Sequence, residues 1–200
     1  MNPDDLKDLS SFFSELQQET DRGLPLVAAA MIDEKLLETL QSFLCPGKSA
    51  DRLLTDPNAP LGTFSARINA CNSLGLIDEL EYREITLIRR IRNLFAHSRH
   101  GLTFSDEKVA GLCASLESPL PSGGAYASAG ARFRFVNATV SLSLRLFYRA
   151  KWVGLERRKP KTWVKPGEAG WRSFEIEQPP EGAQFVALGL SCPRVGGRKA

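Results

Sequence analysis

The stretch "ITLIRRIRNLFAHSRHG", residues 85–101, decides the fold. Its apolar residues Ile85, Ile88, Ile91 and Phe95 recur at spacings of three and four, which is the period of a helix with one buried face. Such a helix gains most of its stability by packing that face against other helices. The stretch therefore predicts one helix of a larger bundle.

Helical periodicity also dominates the sequence on both sides of this stretch. Pro3 suits a first helical turn with Asn2 as its cap, and Asp78 with Glu81 forms a capping-box pattern that opens the quoted helix. Ser105 is the predicted cap of a later helix. Further helices are predicted over about residues 24–44, 63–73 and 131–153.

The composition changes after Gly154. Residues 154–200 carry nine Lys or Arg and five Glu, so this part has a charge of +4 and leaves −1 for residues 1–153. Two short runs, "RSFEIE" and "AQFVALGL", have a strand-like pattern. We predict an all-α helical bundle over 1–153, and a basic, Pro/Gly-rich, loosely ordered extension with a short β-hairpin over 154–200.

The composition also excludes several classes of protein. A hydrophobic content of 42% with 24% charged residues is ordinary for a soluble chain, and no apolar run reaches the roughly 20 residues of a membrane span. The N-terminus lacks the pattern of a signal peptide. The four cysteines are scattered without metal-ligand spacing, which predicts reduced thiols in a cytoplasmic protein and neither a metal nor a cofactor.

A DNA-reading surface is not expected either. The phosphate-binding, dinucleotide-binding, nucleophile-elbow and zinc-protease motifs are absent from the sequence. The best helix-turn-helix candidate, around "NSLGLID", opens its second helix with the acidic residues "DELE", which DNA phosphates would repel. This pattern therefore argues against direct, sequence-specific DNA binding.

The polar residues of the quoted helix form a candidate interface. Arg90, Asn93 and His97 share one stripe, and this stripe is the predicted surface for a protein partner or a second copy. Arg92 lies about 140° from His97 around a continuous helix. The two side chains can meet only if the helix distorts, or if a symmetric homodimer brings Arg92 near the partner's His97.

Two interpretations of Arg92 and His97 remain open. As a catalytic pair they would cleave RNA without a metal, because an arginine can hold the scissile phosphate and a histidine can exchange a proton with the ribose hydroxyl. The alternative is that His97, with Arg99 and His100, only places positive charge at the end of a helix. Spacing alone favours this second interpretation.

Two other groups of charged residues can also be interpreted either structurally or functionally. Asp33 and Glu34 lie within a predicted helix, where an ion pair with Arg90 or Arg92 is expected rather than acid–base chemistry. The basic run near the three tryptophans is either a solvated surface or a weak nucleic-acid contact. The residues of this run are Arg157, Arg158, Lys159 and Lys161.

The block from Pro60 to Val109 resembles the bacterial mannitol operon repressor family, written MtlR or MltR. The matching elements occur in order with near-constant spacing: "PLG" at 60–62, Ser65, Arg67, "LGLI" at 74–77, Glu81-Tyr82, Arg92-Asn93, His97 and "FSD" at 104–106. A looser similarity extends over about residues 24–153. The Arg-Asn-x-x-x-His segment is also similar to the signature of HEPN domains.

This resemblance implies a function. It points to a helical, dimeric transcriptional regulator of the repressor type that lacks a DNA-binding motif and acts through protein partners. The HEPN similarity implies the alternative of a toxin-like endoribonuclease, in which Arg92 and His97 are the active pair and Asn93 supports them. We predict the non-enzymatic regulator, with the ribonuclease as the alternative and RNA as its substrate.

Overall fold

The computed structural model describes residues 3–99, 101–118 and 129–163, and within them the chain forms eight α-helices and no strand. The helices are α1 (Pro3–Gln18), α2 (Gly23–Phe43), α3 (Lys48–Leu54), α4 (Phe64–Ser73), α5 (Glu79–His97), α6 (Glu107–Ala114), α7 (Ala131–Leu146) and α8 (Arg149–Gly154). The predicted all-α fold is confirmed. Asn2 and the predicted hairpin lie outside the described residues.

The chain divides into two units, residues 1–160 and 161–200, and all eight helices belong to the first. None of the helices described here has the length and apolar character needed to cross a membrane. The predicted boundary at residue 153 stays a prediction.

Helix α2 lies at the centre of the first unit. It packs against α1, α3, α4, α5, α7 and α8, and its most deeply buried side chains include Leu24, Ile32, Leu36 and Leu40. Residues 85–97 of the quoted stretch form most of α5, and Ile85, Ile88, Ile91 and Phe95 are all buried there. Each such side chain contributes about 1.5–3 kcal/mol when it is removed from water. The apolar period of α5 thus predicted its buried face correctly.

The start of α5 is fixed by the predicted capping box. The Asp78 carboxylate accepts a hydrogen bond from the Glu81 backbone N–H at 2.8 Å, and the Glu81 carboxylate accepts one from the Asp78 N–H at 3.0 Å. Arg149 of α8 reaches the same carboxylate, with Nη2 at 2.6 Å from Glu81 Oε1. One buried glutamate therefore caps α5 and also joins α5 to α8.

A second buried glutamate of α5 holds the chain that follows α6. The Glu84 carboxylate is fully buried and accepts hydrogen bonds from the Glu117 N–H at 2.7 Å, the Ser118 N–H at 3.2 Å and the Ser118 hydroxyl at 2.6 Å. A buried carboxylate is tolerated only when such donors surround it. The segment after α6 is thereby fixed to the middle of α5.

Two helix boundaries differ from those predicted. Helix α6 begins at Glu107 with Asp106, not Ser105, at its N-cap, and the Asp106 carboxylate accepts hydrogen bonds from the N–H and hydroxyl of Thr103. The last predicted helix is broken between α7 and α8, since Tyr148 leaves helical geometry with φ −101° and ψ 7°. Helix α3 was not predicted at all.

The residues that follow α8 pack on the end of α2. The Arg158 N–H donates to the Phe43 carbonyl at 2.8 Å, and Arg157 Nη2 donates to the Gln41 carbonyl at 2.8 Å. The Arg158 guanidinium also lies over the Phe43 ring, 5.1 Å from its centroid. These contacts satisfy carbonyls that the end of a helix would otherwise leave without partners.

Candidate functional site

A pocket of about 450 Å³ opens between α2, α5 and the start of α4. One face of α2 contributes residues spaced three and four apart, and one face of α5 does the same, because residues at these spacings share a face of a helix. The lining residues are Leu26, Ala29, Ala30, Asp33, Thr63, Phe64, Ser65, Arg89, Arg92 and Asn93. The α2 side of the pocket is thus apolar except for Asp33, and the α5 side is polar.

The start of α4 forms the third wall of the pocket. Thr63 is the N-cap, and its hydroxyl accepts a hydrogen bond from the Ala66 N–H at 3.2 Å. The loop before it is held by Arg67, whose Nε donates to the Leu61 carbonyl at 3.1 Å. The first N–H groups of α4 lie at Phe64 and Ser65, both of which line the pocket.

Asp33 pairs with α4 and not with α5. Its Oδ2 lies 2.9 Å from Nη1 of Arg67, whose side chain is only 11% exposed. The expected pairing with Arg90 or Arg92 is therefore wrong, because Arg67 enters from a different helix. Asp33 Oδ1 is buried and accepts no hydrogen bond within the described residues.

The two arginines of the pocket differ in their environment. Arg92 is exposed, and its Nη1 donates to Oδ1 of Asn93 at 3.0 Å. Arg89 is half-buried, and within the described chain it forms neither an ion pair nor a hydrogen bond. The pocket thus has two guanidinium groups, and no carboxylate of the described part of the chain pairs with either.

The predicted interface residues occupy the outer side of α5. Arg90 and His97 are exposed, and Asn93 is half-buried where the stripe meets the pocket. Helix α5 runs without a break from Glu79 to His97, so Arg92 and His97 stay on different sides of it. The structure brings Arg92 and Asn93 together, but it does not place His97 with them in one chain.

The four residues of the tail that were predicted to contact nucleic acid differ in the contacts they already make. Arg157 and Arg158 are exposed, yet both already contact the end of α2. Lys159 is exposed, and Lys161 lies 5.7 Å from the centroid of the Trp163 ring. Nucleic-acid binding by this run stays a prediction.

Two of the described cysteines, Cys71 and Cys113, are buried. Within the described residues, no group of three His, Cys, Asp or Glu side chains is placed to hold a metal ion. Burial raises the pKa of the Cys71 thiol to about 12, against the opposing effect of Arg149 and Arg67. Burial likewise raises the pKa of Cys113 to about 12. Both thiols are therefore protonated and unreactive at neutral pH.

The sequence did not reveal Arg89 as a site residue. It stands next to Arg90 in a run of basic residues, and only its position one turn before Arg92 and Asn93 places it on the same face of α5. The small side chains Ala29 and Ala30, which leave space for the pocket, were also missed. Their position opposite Arg89 depends on how α2 and α5 pack.

Comparison with solved structures finds a chain in the X-ray structure of the MtlR–HPr complex from Escherichia coli to which this protein is similar. The TM-score is 0.49 at 21% sequence identity, and the match covers 73% of this chain and 98% of that one. No protein-family model and no curated protein matches the chain.

Proposed function

We propose that this protein is a non-enzymatic regulator of the repressor type that acts by binding a protein partner through the outer stripe of α5. The stripe is defined by Arg90, Asn93 and His97. The observation that carries the proposal is the exposure of Arg90 and His97, neither of which has an ionic or hydrogen-bonded partner within the described residues.

The charge of the stripe indicates the kind of partner. Arg90 is an exposed cation of the stripe, and His97, further along α5 on the same stripe, adds a second positive charge when it is protonated. An acidic protein surface would complement these charges and speed the encounter. Pairing the stripe with its own copy would bring like charges together, which favours an acidic partner over self-association. The predicted homodimer is tested below.

The sequence resemblance to the mannitol operon repressor family supports a regulatory role. The residues that carry the resemblance include Arg92, Asn93 and His97, and the members of that family are regulators without a DNA-binding motif. The charge of −1 over residues 1–153 also argues against a phosphate-binding platform.

The experiment is co-purification from the source cells with three forms of the protein. We expect an acidic protein to be retained by the wild type and lost with the double variant Arg90→Glu/His97→Glu. The variant Arg52→Glu is the matched control, since Arg52 is an exposed arginine on α3 with no ion pair among the described residues. With the purified partner, the double variant should lose at least about tenfold in affinity.

Other outcomes would contradict this proposal. A tight, sequence-specific gel shift by the purified protein alone would show direct DNA binding. Cleavage of RNA in EDTA by the wild type, lost in His97→Ala, would establish the ribonuclease alternative. Light scattering measures the oligomeric state, and a dimer that Arg90→Glu/His97→Glu dissociates would assign the stripe to self-association.

A further inference from the structure

The pocket between α2, α4 and α5 combines an apolar wall with two guanidinium groups. Its volume of about 450 Å³ falls within the range of about 300–1,000 Å³ that is usual for small-molecule sites. It lies beside the outer stripe of α5, and neither Arg90 nor His97 lines it. The pocket is thus separate from most of the proposed partner surface.

The charge within the pocket is positive. Asp33 is the one acidic residue of its lining, and its charge is met by Arg67 at 2.9 Å. Arg89 and Arg92 therefore leave an excess of two positive charges. A guanidinium has five N–H donors, and Arg92 uses one on Asn93 while Arg89 uses none within the described residues.

Other polar groups of the lining can donate as well, while Asp33 adds one carboxylate oxygen, Oδ1, that accepts no hydrogen bond within the described residues. Ser65 carries a hydroxyl, and Phe64 and Ser65 are the first residues of the ten-residue helix α4, where backbone N–H groups have no partner within the helix. These groups add to the two arginines and are not the basis of the inference. Together they offer more donors than the two oxygens of one carboxylate can accept.

We propose that this pocket binds a small molecule through a phosphate group. The three terminal oxygens of a phosphate match two arginines with further donors, and arginine is suited to hold them in pairs. Leu26, Ala29 and Ala30 would contact the rest of the molecule. The site does not depend on the partner-binding proposal.

The test is titration calorimetry of the full chain at constant ionic strength. The probes are inorganic phosphate and glycerol 3-phosphate, with chloride as the reference anion. We expect at least one probe to bind the wild type in the millimolar range or more tightly. The double variant Arg89→Gln/Arg92→Gln should weaken binding by about a hundredfold, because each lost charge-assisted contact is worth about tenfold or more.

Two further variants separate the pocket from general charge effects. Arg52→Gln removes an exposed arginine on α3, outside the pocket, and should bind the probe as the wild type does. Ala30→Phe should block binding while keeping both arginines, and since Ala30 is exposed the helix should tolerate the larger ring. Circular dichroism checks that each variant is folded.

Several results would overturn the inference. These are the absence of binding by the wild type, binding that survives Arg89→Gln/Arg92→Gln in a folded protein, and an equal loss in Arg52→Gln. Binding that Ala30→Phe leaves unchanged would place the phosphate outside the pocket. If an RNA oligonucleotide binds tightly and Ala30→Phe leaves that binding unchanged as well, the two arginines belong to an open nucleic-acid surface and not to a small-molecule pocket.

Discussion

Replacing Arg149 by methionine tests how strongly one buried ion pair holds α8 to α5. The arginine donates from Nη2 to Glu81 Oε1 at 2.6 Å, and from Nη1 to Glu81 Oε2 at 3.1 Å and to the Leu76 carbonyl at 2.7 Å. Methionine keeps much of the apolar stem and removes all three bonds. Glu81, only 1% exposed, would then keep a buried charge with the Asp78 N–H as its remaining donor.

The expected loss follows from the burial of Glu81. Removing one partner of a buried pair costs about 3–5 kcal/mol, mainly because the other charge remains buried. The Arg149 side chain is 24% exposed, so in the variant water can replace part of its contact with Glu81. We therefore expect the free energy of unfolding to fall by about 3 kcal/mol, at the lower end of this range. For a domain of this size that corresponds to a fall in Tm of about 6–12 °C.

Urea unfolding followed by circular dichroism measures this loss. Arg145→Met is the matched control: its Nη1 lies 3.4 Å from Oδ2 of Asp78 in the same capping box, but the side chains are 36% and 57% exposed. That exposed pair should contribute at most about 1 kcal/mol. Adding Glu81→Gln to Arg149→Met should recover part of the loss, because it removes the buried charge.

The result that refutes this reasoning is a loss for Arg149→Met no larger than that for Arg145→Met. The ion pair would then behave as a surface pair despite its burial. A double variant less stable than Arg149→Met alone would likewise show that the buried charge of Glu81 is not the source of the cost.

Two other predictions concern buried titratable groups. Glu84→Gln should cost about 2 kcal/mol in urea unfolding, because the amide retains one acceptor oxygen where the carboxylate accepts three hydrogen bonds, and the Ser118 amide should exchange hydrogen faster; unchanged exchange would contradict this. Cys71 and Cys113 should resist alkylation at neutral pH while Cys45 reacts, as read by mass spectrometry. The pKa of both thiols rises from an ordinary 9.0 to about 12 on folding, so their contribution to the free energy of unfolding is complete below pH 9 and is lost as the pH rises toward 12. Cys113→Ala should make the free energy of unfolding fall less steeply over this pH range, and an unchanged pH dependence would refute the prediction.

Helices with a long, regular apolar period could be predicted from the sequence. The buried face of α5 and the capping box at its start depend on residues within a few positions of one another, so local pattern was sufficient. The break between α7 and α8 was not predictable in this way. The apolar pattern continues through it, while Arg149 is directed to Leu76 and Glu81, residues far away in the chain.

The candidate site was only half predictable for the same reason. Arg92 and Asn93 could be singled out by their spacing and by the resemblance of their segment to known families. The pocket itself depends on three helices meeting, and no local pattern places Ala30 opposite Arg89. The partner of Asp33 was mistaken because Arg67 and Arg92 are equally plausible until the packing of α4 on α2 is known.

The contacts of Arg157 and Arg158 with the end of α2 affect how the chain can be shortened. A recombinant fragment that stops near residue 154 would lose the donors to the Gln41 and Phe43 carbonyls, and the last turn of the central helix would fray and become open to proteolysis. Deleting the basic tail there would damage the bundle along with any function of the tail. A cut after residue 160 keeps both donors and removes only the part of the tail that begins at Lys161.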